Sequence, residues 1–221
     1  MKKNILIVGP TSEIAKKYIE AVKNEFKIFS ISRRKINNIN IEKNYIFNHL
    51  SEISKKNFHK KKFDKVIYFI GHQIDATKKI SNIKNKKIFN TFVVNSIFPI
   101  KLTYSLIENN NLTKKPNIIF FSSRSGSISE RGKLKHHKAG GNHIYRASKS
   151  LLNSFVKNLS FEFKKKDYIF VSYHPGWVAT KSAKGKMPVE TSVKYFINFC
   201  KNLKKKDSGN FFNFDKKKLP W

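Results

Sequence analysis

The feature that most constrains the fold is the alternation of short apolar runs with amphipathic stretches along the chain. The run Ile118–Phe121 has no polar residue at alternate positions, which is typical of a strand buried on both faces of a parallel sheet. Runs of this kind predict strands at Ile5–Val8, Phe26–Ile31, Tyr45–Leu50, Lys65–Gly71, Asn117–Ser123, Ile169–Tyr173 and Phe211–Phe214. Helical spacing predicts one helix capped by Ser12 and others over Ile88–Ile107, Ile144–Phe163 and Val189–Leu203.

Strands that alternate with helices in this way predict an α/β fold. We expect a doubly wound, Rossmann-type parallel sheet of about seven strands with helices on both faces. The link Ser32–Asn44 leaves little room for a full helix between the second and third strands. Neither an internal repeat nor a linker divides the 221 residues, so we expect residues 1–221 to form a single domain. Ligands of such folds bind beyond the carboxyl ends of the strands.

The charge of the chain is unusual: it has 46 Lys and Arg but only 14 Asp and Glu, which gives a net charge of +32. A strong positive charge suggests nucleic acid or an anionic membrane as a partner. The alternative is compositional drift, since Lys, Asn, Ile and Phe share A/T-rich codons and are all abundant here. A nucleic-acid surface selects arginine, whereas the arginines are few and the lysines are scattered. We therefore favour drift and expect no specific nucleic-acid partner. The arginines are Arg33, Arg34, Arg124, Arg131 and Arg146.

Cysteine and apolar content indicate the cellular environment. Cys200 is the sole cysteine, which excludes an internal disulfide and any site with two cysteine ligands. No apolar run approaches the roughly 18–20 residues that cross a bilayer. The apolar start Ile5–Val8 is too short for a signal peptide and ends at Gly9 without a cleavage site. We expect a cytoplasmic protein without a membrane or metal site.

One pair of residues carries recognisable chemistry. Tyr145 and Lys149 are four positions apart on a predicted helix and so share one face. An ammonium beside a phenol favours the phenolate, and lowers a tyrosine pKa that is ordinarily about 10. Such a pair can move a proton on or off a carbonyl oxygen near neutral pH. Taken alone, the pair is weak evidence for a catalytic role, because Tyr and Lys at this spacing occur by chance in many helices.

The full segment Tyr145-Arg146-Ala147-Ser148-Lys149 is more specific, because YxASK is the signature of short-chain dehydrogenases/reductases. The chain resembles that family along nearly its whole length, in order and in spacing. Asn117–Gly126 resembles its fifth strand and serine turn, and Phe92–Ser96 the segment that supplies its asparagine. Tyr173–Thr180 resembles its Pro-Gly loop. Ser208–Trp221 and the insert between Ser123 and Tyr145 are similar to the branch of C-factor and sniffer-type carbonyl reductases.

The resemblance implies a catalytic set of Ser123, Tyr145, Lys149 and Asn95. Ser123 would bond the substrate oxygen and Tyr145 would give or take the proton. Lys149 would lower the pKa of Tyr145 and bind the nicotinamide ribose. Asn95 would hold a water that links Lys149 to solvent. Hydride comes from the cofactor, while the protein supplies position and electrostatics. Taken alone, Asn95 and Ser123 are also compatible with purely structural roles.

The resemblance also implies a cofactor site. Gly9, at the family's first glycine, starts the turn, and Glu13 and Ala15 stand at the second and third glycines. A helix N-terminus there offers N–H groups to phosphate, although Glu13 brings a carboxylate close to it. Arg33 after the second strand favours a 2′-phosphate, hence NADP(H) over NAD(H), unless it is only a solvated basic residue. The expected cofactor-binding residues are Gly9, Thr11, Ser12, Ile14, Arg33, Gly71, Tyr145, Lys149, Pro175, Gly176, Val178 and Thr180.

Three departures from the family pattern bear on cofactor affinity. His49 stands where the family has an adenine-contacting Asp, and Tyr68–Gly71 replaces Asn-Asn-Ala-Gly. The short link after Arg33 leaves fewer residues on the adenine side of the expected cofactor site. The histidines have no spacing typical of a metal site.

Several functions stay open at this point. An oxidoreductase acting on a small carbonyl or alcohol substrate is favoured by the intact Ser123, Tyr145 and Lys149. A dinucleotide-binding regulatory homologue with little turnover is favoured by the altered glycine turn. A basic nucleic-acid or membrane-surface binder and a sugar-nucleotide epimerase are weaker alternatives. The insert Ser127–His143 and the segment Ala179–Pro188 are expected to shape the substrate pocket. The resemblance implies a homodimer or homotetramer.

Overall fold

The computed structural model describes residues 2–47, 58, 60–74, 79–133, 141–181 and 183–221. Within these ranges the strands are β1 (Lys3–Val8), β2 (Phe26–Ser32), β3 (Lys43–Ile46), β4 (Phe63–Tyr68), β5 (Leu112–Phe121), β6 (Ile169–His174), β7 (Ala179–Thr180), β8 (Ala183–Lys184), β9 (Asn210–Asn213) and β10 (Lys218–Leu219). The α-helices are α1 (Glu13–Val22), α2 (Asn85–Phe92), α3 (Phe98–Glu108), α4 (His143–Glu162) and α5 (Val189–Lys201).

Eight of these strands form one sheet in the order β10-β9-β6-β5-β4-β1-β2-β3. Every pairing within it is parallel except that of β9 with the edge strand β10. The chain starts in the middle of the sheet, runs outward through β2 and β3, and returns to β4 on the other side of β1. The predicted doubly wound α/β fold is confirmed. The reversal of strand order beside β1 is where such sheets bind ligands.

Alternate residues of each central strand enter two separate cores, one on each face of the sheet. In β1, Leu6 and Val8 pack toward α3 and α4, whereas Ile5 and Ile7 pack toward α1 and α5. All four side chains are fully buried. The unbroken apolar runs of the sequence therefore arise because both faces of the sheet are covered by helices.

Four details of the sequence prediction differ from the structure. The single helix predicted over Ile88–Ile107 starts at Asn85 and is interrupted by a π-helical turn, Val93–Ile97, between α2 and α3. About seven strands were expected, and the eighth, β10, is only two residues long. The two-residue strands β7 and β8 pair separately and were not predicted. The predicted third strand, Tyr45–Leu50, begins earlier, at Lys43, and its last three residues lie outside the described ranges.

None of the helices in the described residues is long and apolar enough to cross a membrane.

Replacing Leu152 by alanine tests the α4 side of the core. Leu152 is 1% exposed and belongs to the core cluster between α4 and the sheet. A Leu→Ala change at such a site leaves a cavity, so we expect about 3 kcal/mol less unfolding free energy by urea denaturation. Phe161→Ala on the same helix is the control, because Phe161 is 62% exposed. Equal losses in the two variants would contradict the packing described here.

Candidate active site

The residues expected to act chemically meet at the carboxyl edge of the sheet. Ser123 follows β5, and Tyr145 and Lys149 lie in the first two turns of α4. The Ser123 hydroxyl lies beside the Tyr145 phenol, close enough to act on the phenol as a hydrogen-bond partner. Ser123 also caps the short 3-10 turn Arg124–Gly126, where its Oγ accepts from the Ser125 N–H at 3.2 Å. The turn thus fixes the Ser123 hydroxyl beside the Tyr145 phenol.

The surroundings of Tyr145 keep its phenol protonated in the ligand-free protein. Burial raises the pKa of Tyr145, and the smaller opposing effect of the Ser123 hydrogen bond does not cancel it. The phenol therefore carries its proton at neutral pH, which is the form that a general acid requires.

Lys149 is 2% exposed, and its Nζ donates to the carbonyl oxygen of Phe121 at 2.8 Å. Burial lowers its pKa to about 7, because a buried ammonium loses its hydration. A Cβ built on Gly71 would lie 3.7 Å from Nζ, so the amine lies between the ends of β4 and β5. The expected lowering of the Tyr145 pKa by Lys149 stays a prediction, since the two causes resolved for Tyr145 are its burial and Ser123.

Asn95 lies fully buried in the π-helical turn and joins two parts of the site. Its Oδ1 accepts from the His72 N–H at 2.7 Å, and its Nδ2 donates to the His72 carbonyl at 2.9 Å. The same Nδ2 donates to Ser148 Oγ at 2.8 Å. The side chain therefore ties the loop after β4 to α4. The expected water link to Lys149 is untested by these contacts.

Ser148 was missed as a functional residue, although it stands inside the YxASK segment. Its Oγ donates to the Tyr145 carbonyl at 2.7 Å, and its own carbonyl accepts from Ser96 Oγ at 2.5 Å. The bonds that Ser96 and Asn95 make to Ser148 start from the π-helical turn, so that turn sets the position of the first turns of α4. π-helical turns are frequent at functional sites for this kind of reason.

Gly126 allows α4 to approach the serine turn. A Cβ at Gly126 would lie 2.8 Å from the backbone carbon of Lys149, which is closer than real contacts permit. The Gly126 carbonyl accepts from Ser150 Oγ at 2.9 Å and from Asn153 Nδ2 at 3.4 Å. Asn153 Oδ1 in turn accepts from Ser122 Oγ at 2.7 Å. Close packing and these hydrogen bonds hold Ser123 and Lys149 in one unit.

The insert after the serine turn is held at its start by a bidentate salt bridge. The Arg124 guanidinium donates to both carboxylate oxygens of Glu130 at 2.6 Å, and Glu130 is 7% exposed. The residue before Glu130, Ser129, donates its N–H and its Oγ to the Trp221 carbonyl at 2.9 and 2.6 Å. These contacts order the start of the insert beside Ser123. Residues 134–140 of the insert lie outside the described ranges.

The glycine turn after β1 has the shape that a close backbone approach requires. Gly9 has φ +83°, and a Cβ there would lie 2.6 Å from Ile70 Cγ2. Ser12 caps α1, because its Oγ accepts from the Ala15 N–H at 3.2 Å. Thr11 is exposed in the turn, and Ile14 packs against the α1–α5 core. The turn and the helix N-terminus predicted for phosphate are both present.

Arg33 is exposed at the end of β2, next to β1. Burial and then the positive charges of Arg33 and Lys87 lower the pKa of His72, which follows β4. The guanidinium and the His72 ring therefore lie near one another on either side of the end of β1. His49 lies outside the described residues.

The Pro-Gly loop is fixed at both ends. The Pro175 carbonyl accepts from Ser192 Oγ at 2.8 Å, and Gly176 has φ +89°. Val178 is buried and forms a bridge with Met187. Thr180 Oγ1 accepts from the Ala183 N–H at 3.1 Å. The structure thus places the loop that carries Thr180 beyond the end of β6.

The depressed pKa of Lys149 predicts a pH-dependent stability. The unfolded chain keeps the Lys149 proton up to pH about 10, whereas the folded chain releases it near pH 7. The unfolded state therefore binds more protons in this window, and stability rises with pH by at most about 1.4 kcal/mol per unit.

Lys149→Met removes this contribution. The unfolding free energy of wild type minus that of Lys149→Met should therefore rise from pH 7 to pH 9 and stay constant below about pH 6, where the amine is protonated in both the folded and the unfolded chain. Urea titrations at fixed pH measure it, and contributions from other groups cancel in the difference. A difference that does not change between pH 7 and pH 9 would show that the Lys149 amine is solvated.

Comparison with curated proteins shows distant relatives. No protein-family model matches the chain. C-signal of Myxococcus xanthus is 27% identical over 133 residues, which are 59% of this chain and 76% of that protein. An uncharacterized oxidoreductase of Saccharomyces cerevisiae is 27% identical over 175 residues, 68% of this chain and 66% of that protein. A Schizosaccharomyces pombe oxidoreductase matches over 56% of its own length, at 29% identity.

Comparison with solved structures shows the fold over the whole chain. The carbonyl reductase Sniffer of D. melanogaster superimposes with a TM-score of 0.83 at 23% identity, covering 100% of both chains. The NADPH-bound carbonyl reductase from chicken fatty liver has a TM-score of 0.82 at 21% identity, covering 100% of this chain and 94% of that one. The resemblance to short-chain dehydrogenases/reductases of the C-factor and sniffer branch, predicted from the motifs, is confirmed.

Proposed function

We propose that the chain, with its short-chain dehydrogenase/reductase fold, is an oxidoreductase that interconverts a carbonyl and a hydroxyl on a small substrate with a nicotinamide dinucleotide. The observation that carries the proposal is the close packing of α4 on the serine turn at Gly126, which brings Ser123 beside Tyr145, one helical turn from the buried Lys149. Two hydroxyl groups that lie side by side can both donate a hydrogen bond to the same substrate oxygen. The names of the yeast oxidoreductases and the two carbonyl reductase structures agree with this reaction class.

In the reduction direction, Ser123 and Tyr145 hold the carbonyl oxygen between their hydroxyl groups. Tyr145 gives its proton to that oxygen as the carbon accepts hydride, and the phenolate that remains is stabilised by the Ser123 hydrogen bond. A bound dinucleotide would supply the hydride. Lys149 would then return a proton toward Tyr145, a role to which a lysine with a pKa of about 7 is suited near neutral pH. Asn95 positions α4 for both residues and, by the family resemblance, would hold the water that supplies Lys149.

The described residues fit such a cofactor. Gly9, with φ +83°, makes the tight turn after β1, and the N-terminus of α1 follows at once with Thr11, Ser12 and Ile14. On the nicotinamide side, Gly71 lies beside Lys149 Nζ, which would bind the ribose. The residues proposed to hold the nicotinamide are Pro175, Gly176, Val178 and Thr180.

We propose NADP(H) rather than NAD(H), because Arg33 is exposed at the end of β2, where an NAD-binding fold has an acidic residue. The chicken liver carbonyl reductase with a similar fold contains NADPH. We also propose that residues 1–221 act as one cytoplasmic domain that forms a homodimer or homotetramer, and that no nucleic acid is required.

A regulatory dinucleotide-binding protein with little turnover is the second candidate. The observation in its favour is Glu13, whose carboxylate stands in the turn where the family has a glycine. Measurements of cofactor binding and turnover separate the two candidates.

Titration of NADPH and NADH tests the cofactor proposal. At physiological salt, NADPH should bind more tightly than NADH and than ATP, which controls for anion binding to a +32 protein. Arg33→Ala should lower the affinity for NADPH about tenfold or more, because it removes a charge-assisted hydrogen bond to the 2′-phosphate. The affinity for NADH, which lacks that phosphate, should not change. Lys35→Ala is the control for lost positive charge, because Lys35 is a neighbouring exposed cation. If neither dinucleotide binds more tightly than ATP, the proposal fails.

Tyr145→Phe tests the proton donor. The variant should bind NADPH like wild type but reduce a carbonyl substrate about 10²–10⁴-fold more slowly, because it lacks the transferable proton. Tyr195→Phe, at an exposed tyrosine, is the control. Single-turnover oxidation of NADPH with a panel of aldehydes, ketones and quinones gives the measurement. Wild-type binding without turnover of any of them would favour the regulatory candidate, and undiminished turnover in Tyr145→Phe would assign the proton to another group.

A further inference from the structure

Glu13 makes a contact that its position in the glycine turn does not predict. Its Oε1 accepts a hydrogen bond from the backbone N–H of Lys181 at 2.7 Å, across 168 residues of sequence. The family resemblance places a glycine at this position, which has no side chain to make such a contact. Ser12 already caps the Ala15 N–H, so the Glu13 carboxylate is not required as the helix cap. The contact joins the first turn of α1 directly to the segment after β6.

The segment that receives this contact is folded largely upon itself. The Ala179 N–H donates to the Met187 carbonyl at 2.8 Å, and the Met187 N–H donates to the Trp177 carbonyl at 3.0 Å. β7 and β8 pair with each other and not with the main sheet. Since β7 and β8 do not pair with the main sheet, the position of the segment relative to that sheet depends on outside contacts, such as the Ser192–Pro175 bond at its start. Glu13 provides another next to Thr180.

We propose that Glu13 is a positioning residue that holds Lys181, and through it Thr180, against the N-terminus of α1. The contact brings the turn expected to hold the pyrophosphate together with the loop expected to hold the nicotinamide. In this arrangement the carboxylate binds an N–H group of the protein, which reduces its repulsion of a phosphate. With Glu13 in place of the family's glycine, the turn therefore gains a side-chain contact, the tether, that joins the two halves of the expected cofactor site. The consequence for cofactor binding rests on the proposed function.

Hydrogen exchange at the Lys181 amide tests the tether without any cofactor. An amide bonded to a side chain exchanges only when that bond opens. In the full chain, Glu13→Ala should speed exchange at Lys181 about fivefold, the factor that corresponds to one hydrogen bond of about 1 kcal/mol. Glu13→Gln keeps an oxygen acceptor and should preserve most of the protection. Glu190→Ala is the matched control, because it removes an equal charge from the neighbouring helix α5, where Glu190 pairs with Lys17 on α1.

Dissociation of NADPH, followed by stopped-flow fluorescence, tests the consequence. We expect the dissociation rate to rise about fivefold in Glu13→Ala, and to change less than twofold in Glu13→Gln and Glu190→Ala. Unchanged exchange at Lys181 in Glu13→Ala overturns the tether. Slower dissociation of NADPH from both Glu13 variants overturns it as well, because the carboxylate would then act only by repulsion. Wild-type protein that binds no dinucleotide defeats the proposed function, and exchange at Lys181 still decides the tether.

Discussion

The approach of α4 to the end of β5 is the constraint on which the candidate site depends. Gly126 lets the two backbones come together, and the Lys149 amine reaches the Phe121 carbonyl from the same helix. Asn95 secures the helix from the other side through Ser148. Since Ser123 and Tyr145 are held by opposite sides of this junction, a small shift of α4 would separate the two oxygens that meet the substrate.

The parts of the site predictable from sequence are those governed by local spacing. Tyr145 and Lys149 share a helix face because they are four residues apart, and the ends of parallel strands meet at one edge. The partners of Asn95 were not predictable, because His72 and Ser148 are 23 and 53 residues away and a π-helical turn aims the side chain at them. The strands β7, β8 and β10 are too short to show a period of two.

The unusual residues at the end of β4 and directly after it are explained by packing. Tyr68 stacks on Phe120 with ring centroids 4.8 Å apart, and its hydroxyl bonds Thr103 Oγ1 at 2.8 Å. Phe69 packs against Phe121 at 4.4 Å on the opposite face of the sheet. Large aromatic pairs bury a large apolar area, and their preferred ring geometries stabilise the packing beyond that burial. Only Gly71, which lies against the Lys149 amine, keeps the small residue of the family pattern.

The buried amine of Lys149 has a consequence for the heat of ligand binding. With a pKa of about 7, only part of the population carries this proton at neutral pH. An anion or a ribose hydroxyl that comes to lie beside Nζ favours the charged form and draws a proton from the buffer. The heat measured by calorimetry then includes the ionisation enthalpy of that buffer, so phosphate and Tris solutions report different values for the same association.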